Sequence, residues 1–289
     1  MTERRGSWAV PDPPVALPPG CVIHVPGLGE LFVRDTGGDG PPVLLLHGWM
    51  FPSDLNWFRA YGPLSEAGYR VLAIDHRGHG RGLRTPEPFS LTACASDAAA
   101  VVRTLELGPV TAVGYSMGGP IATLMARDHP DTVSSLVLGA TAREWTEPRM
   151  KMLWRSMGLL RLLLNAFPVS SWTWGLRRAG FPDSDATTWV AAELSRGSGR
   201  DLAEAGRELG RFDSRPWIGQ LKMPAAVIVT TSDTAVPPRK QYELAESLSA
   251  PVFEIDCDHA GVTVKGAEFA RLLLDAISAV APVTLNSQR

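Results

Sequence analysis

The sequence predicts an α/β protein in which a mostly parallel central sheet is flanked by helices. Short apolar runs typical of buried strands alternate with segments whose apolar residues recur at helical spacing, as in a parallel sheet. Near the middle of the chain, the pentapeptide Gly114-Tyr115-Ser116-Met117-Gly118 joins one such run to an alanine-rich segment typical of a helix. These two observations place the chain among single-sheet α/β folds.

Seven segments have the composition of strands. The central ones are almost continuously apolar, as expected for strands covered by helices on both faces. In chain order the seven segments are 31–35, 43–46, 70–74, 110–113, 135–138, 225–230 and 252–255.

Helical patterns lie between these strands. Ser90 is placed to cap a helix whose apolar residues recur at helical spacing over 91–105. Pro237 and Pro238 are placed to open another helix that extends through Leu248, and the segment 269–277 has the spacing of a C-terminal amphipathic helix.

The alternation stops between residues 143 and 216. This segment contains five tryptophans and the apolar run 158–164, but no run typical of a buried strand. We therefore expect residues 143–216 to form a helical cap inserted into a core made of residues 21–142 and 217–289. The proline-rich residues 1–20 are expected to form a flexible N-terminal arm or a strap along the surface.

Composition excludes several classes of protein. The net charge of −2 and the lack of a basic stripe give no electrostatic basis for a nucleic-acid partner. No run of about 20 apolar residues is present, so no membrane span is expected. Three widely spaced cysteines and a start without the apolar region of a secretory signal favour a cytoplasmic protein. No metal-ligand spacing is found, so neither a metal nor a cofactor is expected, and the sequence indicates no oligomeric state.

The pentapeptide around Ser116 has the pattern of a nucleophile elbow, a sharp turn between strand and helix. Gly114 and Gly118 would remove side chains that collide with the flanking strand and helix. The serine hydroxyl is then held out at the carboxyl end of the sheet, where ligands of open α/β sheets bind.

A serine nucleophile needs a histidine base and a carboxylate that orients the base. His259 follows the strand 252–255, and Asp233 follows the strand 225–230, so both belong on the same rim as Ser116. Among the other histidines, His76 and His79 precede the nucleophile, and the chain order argues against them. Three further carboxylates compete with Asp233 for the role of the acid: Asp213, Asp256 and Asp258.

Acyl transfer also needs hydrogen-bond donors for the oxyanion. The backbone N–H of Met117 directly follows the nucleophile. The turn His47-Gly48-Trp49 follows the strand 43–46 and could offer the N–H of Trp49. Gly48 permits the close turn, and His47 is expected to hold the loop by hydrogen bonds rather than to transfer protons.

Together these motifs resemble the α/β-hydrolase superfamily over about residues 22–280. The segments that carry the resemblance are 47–49, 75–80, 114–119, 233–237 and 258–259. The resemblance implies a triad of Ser116, Asp233 and His259, with Trp49 and Met117 as oxyanion donors. The chain departs from the family in two places. Family members often have a glycine shortly before the acid, where this chain has Thr230-Thr231-Ser232, and a glycine before the histidine, where it has Asp258.

The resemblance also limits the chemistry. Members that open epoxides or remove halogens use aspartate where this chain has Ser116, so those branches are disfavoured. We expect a hydrolase that cleaves a small hydrophobic carboxylic ester, of the carboxylesterase or lipase type. A C–C bond hydrolase or a cofactor-free perhydrolase of the haloperoxidase type remains an alternative. A ligand receptor with a vestigial triad is the alternative from another class.

The substrate pocket is expected to take apolar residues from the elbow and the cap. The candidates are Tyr115, Trp154, Leu159, Leu163 and Phe167. For the residues of the cap, packing against the core is the competing interpretation.

Overall fold

A computed structural model describes residues 10–146, 155–166, 168–178 and 181–280. The described chain is organised around one eight-stranded sheet. Its strands are β1 (Gly20–Val25), β2 (Gly29–Asp35), β3 (Pro42–Leu46), β4 (Arg70–Ile74), β5 (Val110–Tyr115), β6 (Val133–Gly139), β7 (Ala225–Thr230) and β8 (Val252–Ile255).

The strands follow the order β1-β2-β4-β3-β5-β6-β7-β8 across the sheet. β3 to β8 pair in parallel, while β1 and β2 form an antiparallel edge. This confirms the predicted fold class and all seven predicted strands. The sequence analysis missed β1 because this edge strand is mostly exposed and lacks a continuous apolar run.

Helices cover both faces of the sheet. In the described residues they are α1 (Ser53–Trp57), α2 (Tyr61–Glu66), α3 (Leu91–Thr104), α4 (Gly118–Asp128), α5 (Met157–Ala166), α6 (Pro168–Arg178), α7 (Asp185–Leu194), α8 (Gly199–Leu209), α9 (Pro238–Leu248), α10 (Gly261–Val264) and α11 (Gly266–Val280). One buried cluster joins α3, α4 and α9 to the sheet, and a second joins α1, α2 and α11 to its other face.

Four predicted helices are confirmed: α4 is the alanine-rich helix after the pentapeptide, and the other three are α3, α9 and α11. The Ser90 side chain accepts a hydrogen bond from the backbone N–H of Ala93 and so caps α3. α9 begins at Pro238, where the missing N–H costs nothing because the first turn has no partner for it. The sequence analysis missed the short helices α1 and α2, which are too short to show a periodic pattern.

Helices α5 to α8 lie between β6 and β7, in the segment that lacks strand patterns. The two ends of this segment meet: Glu144 and Asp213 form an isolated β-bridge, and the Ser214 N–H donates to Arg143 O at 2.8 Å. A buried ion pair then ties the entry of the segment to the core, because Lys240 Nζ of α9 lies 2.5 Å from Glu144 Oε1. We call residues 143–216 the insertion.

The described part of the N-terminal segment runs along the surface. Val15 and Leu17 pack against a small apolar cluster that contains Leu55 and Trp189. Pro18 O accepts a hydrogen bond of 2.8 Å from Arg34. No helix in the described ranges combines the length and the apolar character needed to cross a bilayer.

Candidate active site

The turn between β5 and α4 has the geometry of the predicted elbow. Ser116 adopts a left-handed backbone conformation with φ of 52°, which residues other than glycine rarely take. The two flanking glycines are required by space: a Cβ on Gly114 would come within 3.0 Å of Gly118 O, and one on Gly118 would come within 3.0 Å of Leu46 O. Sterics at both positions therefore enforce the Gly-x-Ser-x-Gly pattern.

Hydrogen bonds from β6 and the loop after it hold this strained turn. The Ser116 N–H donates to Gly139 O at 2.9 Å, and Thr141 Oγ1 donates to Ser116 O at 2.8 Å. Strained backbone persists only where its surroundings fix it. Thr141 supplies one of these contacts, although no signal in the sequence singled it out.

The three residues of the predicted triad form one chain of hydrogen bonds. His259 Nε2 lies 2.9 Å from Ser116 Oγ, and His259 Nδ1 lies 2.7 Å from Asp233 Oδ2. Asp233 follows β7 and His259 follows β8, so neighbouring parallel strands deliver both side chains to the rim where β5 delivers Ser116. The carboxylate of Asp233 accepts a hydrogen bond from the Nδ1 N–H of His259. The unprotonated Nε2 of the same ring can then accept a hydrogen bond from the Ser116 hydroxyl.

Asp233 is buried, and donors surround its carboxylate. The N–H groups of Ala235 and Val236 both donate to Oδ1 at 2.8 Å, and Thr230 Oγ1 donates to Oδ2 at 2.8 Å. Gln241 Nε2 in turn donates to Thr230 Oγ1 at 2.8 Å and keeps that hydroxyl oriented. These bonds fix the carboxylate facing His259.

The competing carboxylates bond elsewhere. Asp256 Oδ1 accepts from Ser232 Oγ at 2.8 Å, and Asp258 Oδ1 accepts from the Ala260 N–H at 2.9 Å. Asp213 pairs with Arg215 at 2.6 Å at the end of the insertion. Of the four candidate acids, the structure brings Asp233 to the imidazole.

The loop after β3 closes the other side of the serine. A Cβ on Gly48 would lie 3.3 Å from Ser116 Cβ, so the loop backbone runs directly beside the nucleophile. Asn56 Oδ1 of α1 accepts the Gly48 N–H at 2.8 Å and holds this approach. The sequence analysis missed Asn56, because an isolated asparagine in a short helix carries no pattern.

His47 ties this loop to its neighbour. The His76 N–H donates to His47 Nε2 at 2.9 Å, so Nδ1 carries the proton and donates to Gly48 O at 2.8 Å. The ring is buried, and burial lowers its pKa, so the imidazole is neutral. These contacts agree with the expectation that His47 supports the loop.

Two further histidines lie against His47 beneath the rim. The His76 ring is 4.2 Å from the His47 ring, and the His79 ring is 5.3 Å from it. Burial lowers the pKa of His76 well below its usual value and that of His79 to about 3. This histidine cluster, His47, His76 and His79, is therefore uncharged at neutral pH.

The two residues predicted to supply the oxyanion donors, Met117 and Trp49, are neighbours of the serine. Met117 directly precedes α4, so its N–H belongs to a helix N-terminus, where backbone donors concentrate. Trp49 follows Gly48, and its indole Nε1 donates to Leu202 O of α8 at 2.7 Å. The loop beside the serine is thus bonded to the insertion.

A family model described as the alpha/beta hydrolase fold matches residues 41–265, more than three quarters of the chain. The match includes Ser116, Asp233 and His259. The chain belongs to the α/β-hydrolase family. The fold, the elbow and the order of the site residues along this hydrolase agree with that membership.

Curated relatives of the hydrolase fall into two groups by coverage. This hydrolase is 31% identical over 255 residues to a pimeloyl-[acyl-carrier protein] methyl ester esterase from Chromobacterium violaceum. The aligned region covers 85% of this chain and 97% of that esterase. The hydrolase is 41% identical over 110 residues to a non-heme haloperoxidase from Rhodococcus erythropolis, but that match spans 38% of this chain and 39% of the haloperoxidase.

Among solved structures, an esterase from Exiguobacterium antarcticum superimposes with a TM-score of 0.76. It is 22% identical and covers 90% of this chain and 99% of that one. At this identity the likeness shows the shared fold.

A cavity of about 160 Å³ opens onto the serine. Ser116 and His259 form part of its wall, together with Trp49 and Phe51 from the loop after β3 and side chains from the segment 260–263. We call it the rim cavity. Within the described residues, no cluster of three or more His, Cys, Asp or Glu side chains is arranged to hold a metal ion.

The predicted pocket residues are found in different places. Tyr115 lines the rim cavity, and its hydroxyl donates to His259 O at 2.9 Å. Burial raises the pKa of Tyr115 well above its usual value, so this donor remains protonated. Leu159 is 63% exposed and is not part of the described cavity wall.

The other three predicted pocket residues belong to the cap predicted from the sequence. Trp154 and Phe167 lie outside the described residues, as does the side chain of Leu163.

Proposed function

We propose that this hydrolase cleaves carboxylic esters through an acyl-enzyme on Ser116. The observation that carries the proposal is the continuous hydrogen-bond chain from Asp233 through His259 to Ser116 Oγ, with lengths of 2.7 and 2.9 Å. In this arrangement a weakly nucleophilic hydroxyl has a base within reach, and the base has a fixed tautomer.

The first half of the reaction forms the acyl-enzyme. Ser116 Oγ attacks the ester carbonyl while His259 Nε2 takes the hydroxyl proton. The negative charge of Asp233 then stabilises the imidazolium. When the tetrahedral intermediate collapses, His259 gives its proton to the departing alcohol, and an ester bond to Ser116 remains.

The second half regenerates the serine. A water molecule gives a proton to His259 and attacks the acyl carbon, and the proton returns to Ser116 as the carboxylic acid leaves. In both halves we propose that the backbone N–H groups of Met117 and Trp49 bind the oxyanion. A single donor of this kind is worth roughly 10²–10³ in kcat.

A carboxylic ester is favoured as substrate over other acyl compounds by the relative that matches most of this chain and nearly all of its own length. That relative is named as a methyl ester esterase and matches 97% of its own length. We propose further that the insertion serves as a cap. Its helix α8 accepts a hydrogen bond from Trp49 beside the nucleophile, which supports this role.

The test is the variant Ser116→Ala assayed on a panel of alkyl and aryl esters. We expect kcat to fall by about 10⁴-fold or more, as for loss of a serine nucleophile. Ser232→Ala is the matched control, since this serine lies on the same rim but bonds to Asp256. We expect the control to keep activity within about twofold. A Ser116→Ala enzyme with near wild-type turnover would refute the proposal.

A perhydrolase is the second candidate, supported by the local match to the haloperoxidase. In this reaction hydrogen peroxide, rather than water, attacks the acyl-enzyme and releases a peracid. Bromination of a reporter dye in the presence of peroxide, acetate and bromide measures the peracid. Bromination that depends on Ser116 and exceeds ester hydrolysis in rate would favour this candidate.

A further inference from the structure

The described walls of the rim cavity belong to the core. Its described walls come from the loop after β3, from Asn56 of α1, from Tyr115 and Ser116, and from the segment between His259 and Thr263. None of its described wall residues comes from the insertion. The described surface that a bound group would contact here is therefore formed by core loops.

The volume limits what can enter. A cavity of about 160 Å³ has room for about five water molecules, taking roughly 30 Å³ for each in the liquid. A cavity of roughly 150 Å³ holds one benzene ring. The space therefore matches a group of about six non-hydrogen atoms.

The chemistry of the walls selects an apolar group. Phe51, Val262 and Ala260 contribute apolar surface, and no Lys or Arg is among the described residues of the wall. Among the polar groups of the wall, His259 bonds to Asp233 and Ser116, and Asn56 Oδ1 accepts the Gly48 N–H. Asn56 Nδ2 is a buried donor with no hydrogen-bond partner among the described residues, so the wall can offer one neutral donor but no charge of its own from Lys or Arg. A charged group would enter without a counter-ion and lose its hydration.

We propose that the rim cavity receives one compact apolar arm of the ester, of up to about six non-hydrogen atoms, and that Phe51, Val262 and Thr263 set its size. The inference rests on the proposed function, because Ser116 is in the cavity wall. Val262 lines the cavity and is 7% exposed, so a change in the size of its side chain changes the space available to the substrate.

Two ester series test this and identify which arm enters. One series varies the acyl chain from acetate to decanoate with ethanol as the alcohol, and the other varies the alcohol over the same lengths with acetate. In one of the two, we expect kcat/KM to rise by about fourfold for each added methylene, as its burial predicts. The rise should end near six non-hydrogen atoms, and longer chains should react more slowly.

Substitutions at Val262 should move this maximum. Val262→Ala deepens the cavity and should shift the preferred chain to longer esters by one or two carbons, whereas Val262→Leu should shift it to shorter ones. Val264→Ala is the matched control, since Val264 lies on the same short helix but is 70% exposed. The control should leave the profile unchanged.

The outcomes separate the two proposals. A wild-type enzyme that hydrolyses no ester of either series refutes the proposed function. A wild-type enzyme that hydrolyses esters, with a maximum that neither Val262 variant moves, refutes only the inference. It is also refuted if Leu163→Ala or Phe167→Ala moves the maximum while the Val262 variants do not, since the insertion would then set the size.

Discussion

The two halves of the insertion differ in how they meet the core. The inner half, α7 and α8, is bonded to the core rim: Arg81 Nη2 lies 2.8 Å from Glu193 Oε1, the Ser198 N–H donates to Gly78 O at 2.8 Å, and Trp49 Nε1 donates to Leu202 O. The outer half, α5 and α6, instead exposes large apolar side chains, including Leu162 and Trp174, each 67% exposed.

This difference shows that the insertion is not one uniform layer. Glu193 is 2% exposed, and Arg81 also faces the buried carboxylates of Asp54 and Asp75 at 3.3 and 3.7 Å. A single core arginine therefore pairs with the buried Glu193 of the inner half and with two buried carboxylates of the core. Because Trp49 lies beside the nucleophile, displacement of the inner half would disturb the site. The outer half meets the core through apolar packing instead: Met157 belongs to a buried core cluster, and Trp172 and Leu176 pack against the cluster that contains Leu55 and Phe58.

The largest effect should come from breaking the buried connection. Arg81→Met leaves three buried carboxylates with fewer partners, and we expect the free energy of unfolding to fall by about 3 kcal/mol. Arg177→Met is the matched change in the outer half. It breaks an ion pair whose side chains are 53% and 75% exposed, so we expect a loss of less than about 1 kcal/mol.

Urea unfolding at neutral pH measures both changes. Esterase activity of the Arg81→Met variant, assayed where it is still folded, should also fall because α7 and α8 lose their attachment. Equal losses of stability in the two variants would remove the distinction between the two halves.

A smaller effect is expected on the pH dependence of the free energy of unfolding. The loop that holds Arg81 also carries His76 and His79, whose pKa values burial lowers, to about 3 for His79. Below pH 6.5 the unfolded chain binds protons at these histidines while the folded chain does not, so stability falls as the pH falls. For His79 alone the expected loss at pH 5, relative to pH 7.5, is about 2 kcal/mol.

Urea unfolding at pH 7.5 and pH 5 gives this loss directly. His79→Gln should reduce the pH-dependent loss by about 2 kcal/mol, whereas His24→Gln, at an exposed position of β1, should leave it unchanged. If His79→Gln unfolds with the same pH dependence as the wild type, the histidine is not held neutral in the folded protein.

The sequence predicted most of the core because its signals are local. Strands β3 to β7 are largely apolar and buried, and the Gly-x-Ser-x-Gly pattern follows from clashes that any Cβ at Gly114 or Gly118 would make. The pairing of His259 with Asp233 rather than with another acid depends on the strand order, so it was predicted only from chain position and from the family resemblance. In the structure, hydrogen bonds to both carboxylate oxygens of Asp233 hold this side chain facing His259.

Other features depend on contacts between distant residues. Asn56 supports Gly48 and Thr141 supports Ser116, but neither carries a recognisable motif. The rim cavity is shaped by Phe51 and Val262, which are 211 positions apart in the chain and meet only after folding. The apolar composition of the insertion pointed instead to residues such as Leu159, whose exposure no periodicity reveals.

The central claim is that Ser116 is a nucleophile activated by His259. The direct measurement treats the intact protein with a fluorophosphonate and locates the adduct by mass spectrometry of its peptides. We predict one adduct, on the peptide that contains Ser116, with labelling at least about 100-fold slower in His259→Ala. No adduct on the wild-type protein, or an adduct on another residue with Ser116 unmodified, would contradict the claim.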